Sequence, residues 1–153
     1  MSYGMLLWGN AADIEIVFIL QKRAIRTIYN ISSRTSLREK FKEIGVLTAA
    51  SQYIYDNKMF IQKNIQKYSI NADIHTINTR NKNKLVTPTF RLHTVQRTIL
   101  GNGIRIYNKI PGNVTNLPFT KFKKIIKTKL INKSYYSLNE YFLEKKRLDL
   151  GSG

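Results

Sequence analysis

One stretch, DIEIVFILQKRAIRTIYN from Asp13 to Asn30, limits the possible folds more than any other. Wound at about 100° per residue, it places Val17, Phe18, Leu20, Gln21, Ala24, Ile25, Ile28 and Tyr29 on one half-turn. Lys22, Arg23 and Arg26 cluster on the opposite arc. Asp13 and Glu15 stand at the start, where the helix dipole favours acids. Such a helix must bury one face and offer the other to solvent or to anions. Val17, Leu20, Ala24, Ile25 and Ile28 are the expected core positions. Only Ile16 and Ile19 break the division, which implies cover on more than one side.

A chain of 153 residues suits one domain with a real hydrophobic core. It has no cysteine, which excludes a disulfide framework and any cysteine-based zinc site or nucleophile. No apolar run approaches the roughly 18 residues of a membrane span. MSYGMLLWGN lacks the charged lead and long apolar run of a signal peptide. An intracellular protein, nuclear or cytoplasmic, is expected, with no membrane partner. The 26 Lys and Arg against 9 Asp and Glu leave a formal net charge of +17. AT-rich coding would account for abundant Ile, Lys, Asn and Tyr, but it would enrich Asp and Glu too. Their scarcity points instead to a polyanionic partner, RNA and/or DNA.

Along the chain, Tyr3 to Gly9 reads either as the end of a helix that starts upstream or as a short helix closing over the core. Asn30 to Thr35 is a polar break. Ser36-Leu37-Arg38-Glu39 fits a capping box, followed by Leu37, Phe41 and Ile44 at helical spacing and a stop at Gly45. Thr48 can cap the next helix, which carries Ala50, Ile54, Ile61, Ile65 and Tyr68, flanked by Tyr53 and Phe60. From Ile74 to Asn139 there is no acidic residue, while 13 Lys or Arg occur. The first part of that region, broken by Pro88, is a basic loop or short strand. It is either a solvated connector or a phosphate-tracking arm. Strand is confined to one short β-hairpin near Leu85 to Arg97. Thr94 to Ile110 reads as helix through Val95, Ile99, Gly103, Ile106 and Ile110, although Ile104 and Ile106 also alternate as in a strand. Its Gly101-Asn102-Gly103 lacks the Gly-Lys-Ser/Thr ending of a phosphate loop. Pro118 opens the last clear helix, with Phe119, Phe122, Ile125, Ile126 and Leu130 on one face and Lys121, Lys123, Lys124 and Lys127 on the other. Ser134 to Leu143 extends it.

The expected fold is mainly α, a small helical domain of about four or five helices with a basic loop and the short hairpin. Residues 1–10 form a remnant of an earlier helix, 11–72 a helical core, 73–143 a basic carboxyl-terminal region and 144–153 a disordered tail.

Catalytic constellations are missing. Two-metal enzymes hold their ions with closely placed carboxylates, and the nine acids here include no adjacent pair, no Asp-x-Asp and no Glu-x-x-His. Glu39 and Glu43 lie on one helix face, but Glu39 is better used as a cap. His75 and His93 have no neighbouring Asp, Glu or Cys to complete a zinc site or a triad. The reading is a non-enzyme with no metal and no cofactor.

The order of these motifs resembles the carboxyl-terminal end of reverse transcriptases from jockey-like non-long-terminal-repeat (non-LTR) retrotransposons. The matching residues are Tyr3-Gly4 and Trp8-Gly9, then Leu20 to Asn30, Ser36, Arg38, Phe41-Lys42 and Leu47-Thr48. They continue with His75, Asn78-Thr79-Arg80, Gly103-Ile104 and Tyr107 to Pro111, and close with Lys121-Phe122-Lys123, Tyr135-Tyr136-Ser137 and Glu140-Tyr141-Phe142. The resemblance spans Tyr3 to about Leu143. Ile77 stands where an aromatic residue is expected, and the palm aspartates, fingers and endonuclease have no counterpart. The resemblance implies the thumb end and carboxyl-terminal region of an RNA-directed DNA polymerase, which helps hold template and primer, with the remainder of that polymerase as partner.

The functional expectation is a non-catalytic nucleic-acid-binding fragment. Phosphate contacts are assigned to Arg80, Lys82 and Lys84 in the loop and to Lys121, Lys123, Lys124 and Lys127 on the late helix. Lys22, Arg23 and Arg26 form an additional set. The rival is a repurposed helical protein–protein interaction module whose basic faces meet an acidic partner. The isolated chain is expected to show no primer extension with magnesium or manganese, because metal-assisted phosphoryl transfer needs carboxylate ligands that the sequence lacks. Extension that survives purification to homogeneity overturns this.

Overall fold

The most deeply buried helix starts at a threonine. In the computed structural model, which describes residues 11–74, 81–89 and 99–144, Thr48 accepts a hydrogen bond from the Ser51 backbone N–H at 3.1 Å. This caps the helix Ala49–Lys63. Ala49, Ala50, Ser51, Tyr53, Ile54, Asp56, Asn57, Lys58, Met59 and Ile61 are all buried, so most of the circumference is covered, with Gln52, Tyr55 and Gln62 half-buried along one edge. An apolar stripe would not have announced that, because four of those buried side chains are polar or charged.

The described residues form eight α-helices and no sheet, a mainly α fold. In chain order they are α1 (Ala11–Tyr29), α2 (Arg38–Ile44), α3 (Ala49–Lys63) and α4 (Asn71–Ile74), then α5 (Ile104–Tyr107), α6 (Gly112–Thr115), α7 (Phe119–Lys133) and α8 (Leu138–Leu143). Four of these are short, of four to six residues. The hub is α3: α1, α5, α7 and the π-helical turn Ile99–Gly103 all pack against it. Helices on both sides of residue 72 therefore share one core.

α1 lies against α3 on a narrower seam than its sequence suggests. Ile14, Phe18 and Ile25 are buried, as Ile25 was expected to be. Val17, Leu20, Ala24 and Ile28 are exposed, Leu20 at 57% and Ile28 at 72%. The face is rotated toward Ile14, and a polar residue explains the rotation. Gln21 donates to the Leu47 carbonyl at 2.8 Å and accepts from the Ala49 N–H at 3.0 Å. It thereby satisfies an orphan donor in the first turn of α3. Directional bonds choose one edge of a broad apolar arc, which hydrophobicity alone leaves open. Asn30 then ends α1 at φ +51°, a left-handed position that Asn tolerates.

α2 starts differently from the capping-box expectation. Leu37 occupies the cap position with no side-chain bond. Ser36 Oγ accepts from the Arg38 N–H at 3.4 Å, two residues on, and Glu39 pairs with Lys42 at 2.7 Å. Leu37 and Phe41 are fully buried and Ile44 half-buried, and Gly45 closes the helix at φ +66°. A side-chain cap occurs instead at the similar string Ser137-Leu138-Asn139-Glu140, with the Glu reaching one residue further back than the reciprocal pattern. There Ser137 Oγ accepts from the Glu140 N–H at 3.1 Å, and the Glu140 carboxylate accepts from the Tyr136 N–H at 2.8 Å. Glu140 also meets Arg38 at 2.6 Å, so the starts of α2 and α8 are tied together.

α3 ends at Lys63, and Ile65 falls in the 3₁₀ turn Ile65–Lys67 with Tyr68 just beyond it, both half-buried outside the helix. The second arm of the hairpin expected near Leu85 to Arg97 lies outside the described residues, which omit 90–98. Leu85 itself pairs elsewhere, bridging back, antiparallel, to Ile70. The helical expectation for Thr94 to Ile110 holds from Ile99 to Tyr107, as the π turn and α5 with Ile106 buried, while Asn108 to Ile110 leave the helix as a turn that buries Ile110. α7 buries Phe122, Ile126 and Leu130, while Ile125 is 41% exposed. Ser134 at φ +45° ends α7, so α8 is a separate helix and not its extension. Glu144, placed in the tail by sequence, bonds to Lys133 and to the Tyr135 hydroxyl. Residues 145–153 and 1–10 lie outside the described residues. No helix among the described residues is long and apolar enough to cross a membrane.

Two substitutions on α1 test the seam. Ile25→Asp places an unpaired charge among buried side chains and is expected to unfold the domain. Leu20→Asp adds a charge to an exposed position and should change stability by less than about 1 kcal/mol. Thermal melts of both variants decide it; equal destabilisation means the seam is misassigned.

Candidate nucleic-acid interface

The cations sort by what already holds them. Lys121, Lys123, Lys124 and Lys127 are all exposed on α7, whose inner face is committed to the core through Phe122, Ile126 and Leu130. None of the four forms an ion pair among the described residues. α7 itself carries no acid, so its outer surface is a run of positive charge.

The additional set on α1 is largely occupied. Lys22 is half-buried with Nζ 4.6 Å from the centre of the Phe18 ring. Arg26 donates to the Thr35 carbonyl at 3.3 Å, and its buried Nε has no partner. Only Arg23 stands fully exposed. In the loop set, Lys82 is exposed and Lys84 half-buried, and Arg80 lies outside the described residues, as do His75 and His93.

The loop is not a loose arm. Asn71 and Ala72 donate backbone hydrogen bonds to the Lys84 and Lys82 carbonyls at 2.9 and 3.0 Å. Asn108 grips it from the other side, its amide oxygen accepting from Leu85 N–H and its amide nitrogen donating to Leu85 carbonyl, each at 2.9 Å. Lys84 is thereby held beside Arg105 and Lys109 at the wall of an open cavity of about 580 Å³. No carboxylate is among the residues that line it. Sequence reasoning selected Lys84 but missed Arg105 and Lys109. The signal for Lys109 was present in Tyr107 to Pro111, where each residue has a separate task. The Tyr107 hydroxyl donates to Gln62, Asn108 grips Leu85, Ile110 enters the core and Pro111 precedes α6. Lys109 donates to the carbonyls of Tyr141, Phe142 and Glu144, which satisfies the end of α8.

Aromatic rings take over much of the counter-charge. Among the described residues there are seven cation–ring contacts against four ion pairs. Tyr141 has two such neighbours, Lys58 at 5.0 Å and Lys109 at 4.6 Å, and its hydroxyl donates to the Ile106 carbonyl at 2.9 Å. Burial pushes the Tyr141 phenol well up from its ordinary value, and it raises the Tyr107 phenol to about 12. Burial also works against the Glu140 carboxylate, but Arg38 and the Tyr136 N–H outweigh it and hold its pKa below the ordinary value.

No group of three or more His, Asp or Glu that could hold a metal ion occurs among the described residues. The chain matches no family model, no curated protein and no solved structure.

Lys58 is the group most out of place. It is 5% exposed, and burial, reinforced by the nearby charges of Lys129 and Lys109 and only partly offset by Glu144, lowers its pKa to about 7. The unfolded chain holds that proton up to about pH 10.5, so between pH 7 and 10.5 the unfolded state binds more protons and stability rises with pH. Below pH 7 both states are charged and the full penalty applies. Lys58→Met should therefore be more stable than wild type at pH 6, by a few kcal/mol, with the gap narrowing toward pH 9. Denaturant melts at the two pH values check it, and a gap independent of pH would show that the ammonium is solvated.

Proposed function

We propose that this chain is a non-catalytic nucleic-acid-binding module, equivalent to the thumb-end and carboxyl-terminal region of a non-LTR retrotransposon reverse transcriptase. In that setting it holds template and primer phosphates beside the polymerase centre, inside the cell. The observation that carries the binding reading is the outer face of α7: four exposed lysines with no ion pair among the described residues, backed by a rigid apolar seam. A helix so anchored presents its charges at fixed spacing, which suits the repeating charge of a phosphate backbone. Lysine supplies point charge without base readout, so the contacts position the strand and do not read its sequence. The sequence has no adjacent acids, no Asp-x-Asp and no Glu-x-x-His, which supports assigning the chemistry elsewhere in the parent polymerase.

A second reading, a helical module for an acidic protein partner, is favoured by one observation. Ile16, Val17, Leu20 and Ile28 are exposed on α1 beside Arg23, an apolar surface with a positive neighbour.

Salt locates the face that makes the contacts. Engaging about 6 phosphates gives log K against log salt a slope of about −4 to −5, a drop on the order of 10³ between 50 and 200 mM. Changing Lys121, Lys123, Lys124 and Lys127 to Gln should flatten the slope by about 3. Changing Lys22, Arg23 and Arg26 to Gln should remove about 1, since only Arg23 is fully exposed. A greater loss in the α1 variant than in the α7 variant would place the contact on α1.

A further inference from the structure

The cavity beside Lys84 has a chemistry that the run of lysines on α7 lacks. One wall is cationic: Lys84 and Arg105 make no hydrogen bond or ion pair through their side chains among the described residues. Lys109 adds its charge there while remaining bonded to the end of α8. A second wall is amide: Asn71 donates to the Asn81 carbonyl at 3.0 Å, which leaves its own side-chain oxygen and the Asn81 side chain to face a ligand. The third component is planar. Phe142 lines the cavity, and the Arg105 guanidinium lies 4.9 Å from its ring centre.

These three walls ask for different things. Two unpaired cations without a lining carboxylate select an anion, and a fork-shaped guanidinium suits phosphate. Paired amides offer both donor and acceptor to a heterocycle edge, and a stacked Phe–Arg pair offers a flat face to a base. Inorganic phosphate or a polyphosphate would use only the first wall. The volume, about 580 Å³, falls within the range of roughly 300–1,000 Å³ usual for small-ligand sites. The site is built and not incidental, because the Asn108 grip on Leu85 and the Ile70 bridge hold the Lys84 wall in place.

We propose that this cavity binds a single unpaired nucleotide, with its phosphate on Lys84 and Arg105, its base edge on Asn71 and Asn81, and its base plane on the Arg105–Phe142 pair. The nucleotide comes either from the unpaired end of a nucleic-acid strand or from the free mononucleotide pool. The strand source rests on the nucleic-acid reading above; the nucleotide chemistry rests on the cavity alone.

The test is a titration of the full chain followed by NMR at the amides of Lys84 to Thr87 and the side-chain amides of Asn71 and Asn81. The probes are adenosine 5′-monophosphate, adenosine, inorganic phosphate and a hexadeoxyadenylate. Adenosine monophosphate should saturate these signals, and adenosine or phosphate alone should bind at least about tenfold more weakly. Arg105→Gln should weaken the monophosphate about tenfold, with Lys84→Gln as a second variant, because each removes a charged hydrogen-bond donor. The α7 variant with four Gln should leave it within about twofold. Displacement of the monophosphate by hexadeoxyadenylate identifies the strand as source; persistence of the monophosphate identifies the free nucleotide. Phosphate binding as tightly as the monophosphate, or no saturation at these signals, overturns the proposal. An α7 variant that loses its salt slope while the cavity stays silent would leave the nucleic-acid reading standing and remove only this site. A responsive cavity with an unchanged slope would do the reverse.

Discussion

Everything in this fold leans on the first turn of α3. Thr48 caps it from within, and the same hydroxyl donates to the Tyr135 carbonyl beyond the end of α7. Gln21 reaches over from α1 to bond both Leu47 and Ala49. Three distant parts of the chain thus meet at one helix start, where a helix has donors to spare and few of its own acceptors. Thr48 and Ser51 are fully buried at this point, and polar atoms without water tolerate only a narrow geometry. These bonds set the orientation of α1 and α7 about α3; apolar packing then follows.

The same economy governs charge. With so few acids, the chain has little to neutralise its lysines and arginines, and it uses ring faces and helix-end carbonyls instead. Arg38 lies 4.5 Å from the Tyr136 ring centre as well as against Glu140. Lys109 spans the carbonyls at the end of α8. Two of the acids tie the fold together: Glu140 and Glu144 join α8 to α2 and to α7. Lys84 and the four outer lysines of α7 stand outside those arrangements and can meet an external anion. Function on this reading belongs to whatever charge the fold has left over.

Lys58 shows the cost of a hub that is buried over most of its surface. A helix placed at the centre of a basic protein must bury some of its own polar residues. Asp56 Oδ2, Asn57 Oδ1 and Ser51 Oγ have no hydrogen-bond partner among the described residues. Burial raises the Asp56 pKa, while the Gln52 side chain bonded to its other oxygen works in the opposite direction.

Much of the local structure was legible because it is decided locally. The Thr48 cap, the Gly45 stop and the Phe122, Ile126 and Leu130 seam each depend on residues within a turn or two of one another. The paired strings at Ser36 and Ser137 mark the limit. Both satisfy the capping pattern, yet only at the second does the Ser cap its helix; there Glu140 meets Arg38 and the Tyr136 N–H, while Glu39 is exposed and pairs with Lys42. Which edge of the α1 apolar arc is buried, and that Lys84 would stand beside Arg105 and Lys109, were also beyond the sequence. The sequence by itself determined the helical periods, their caps and stops, and the asymmetry between cations and acids, all properties of neighbours along the chain. Tertiary structure alone decided which faces meet and which charges stay unpaired, because those depend on bonds between residues separated by tens of positions, such as Gln21 with Leu47 and Arg38 with Glu140.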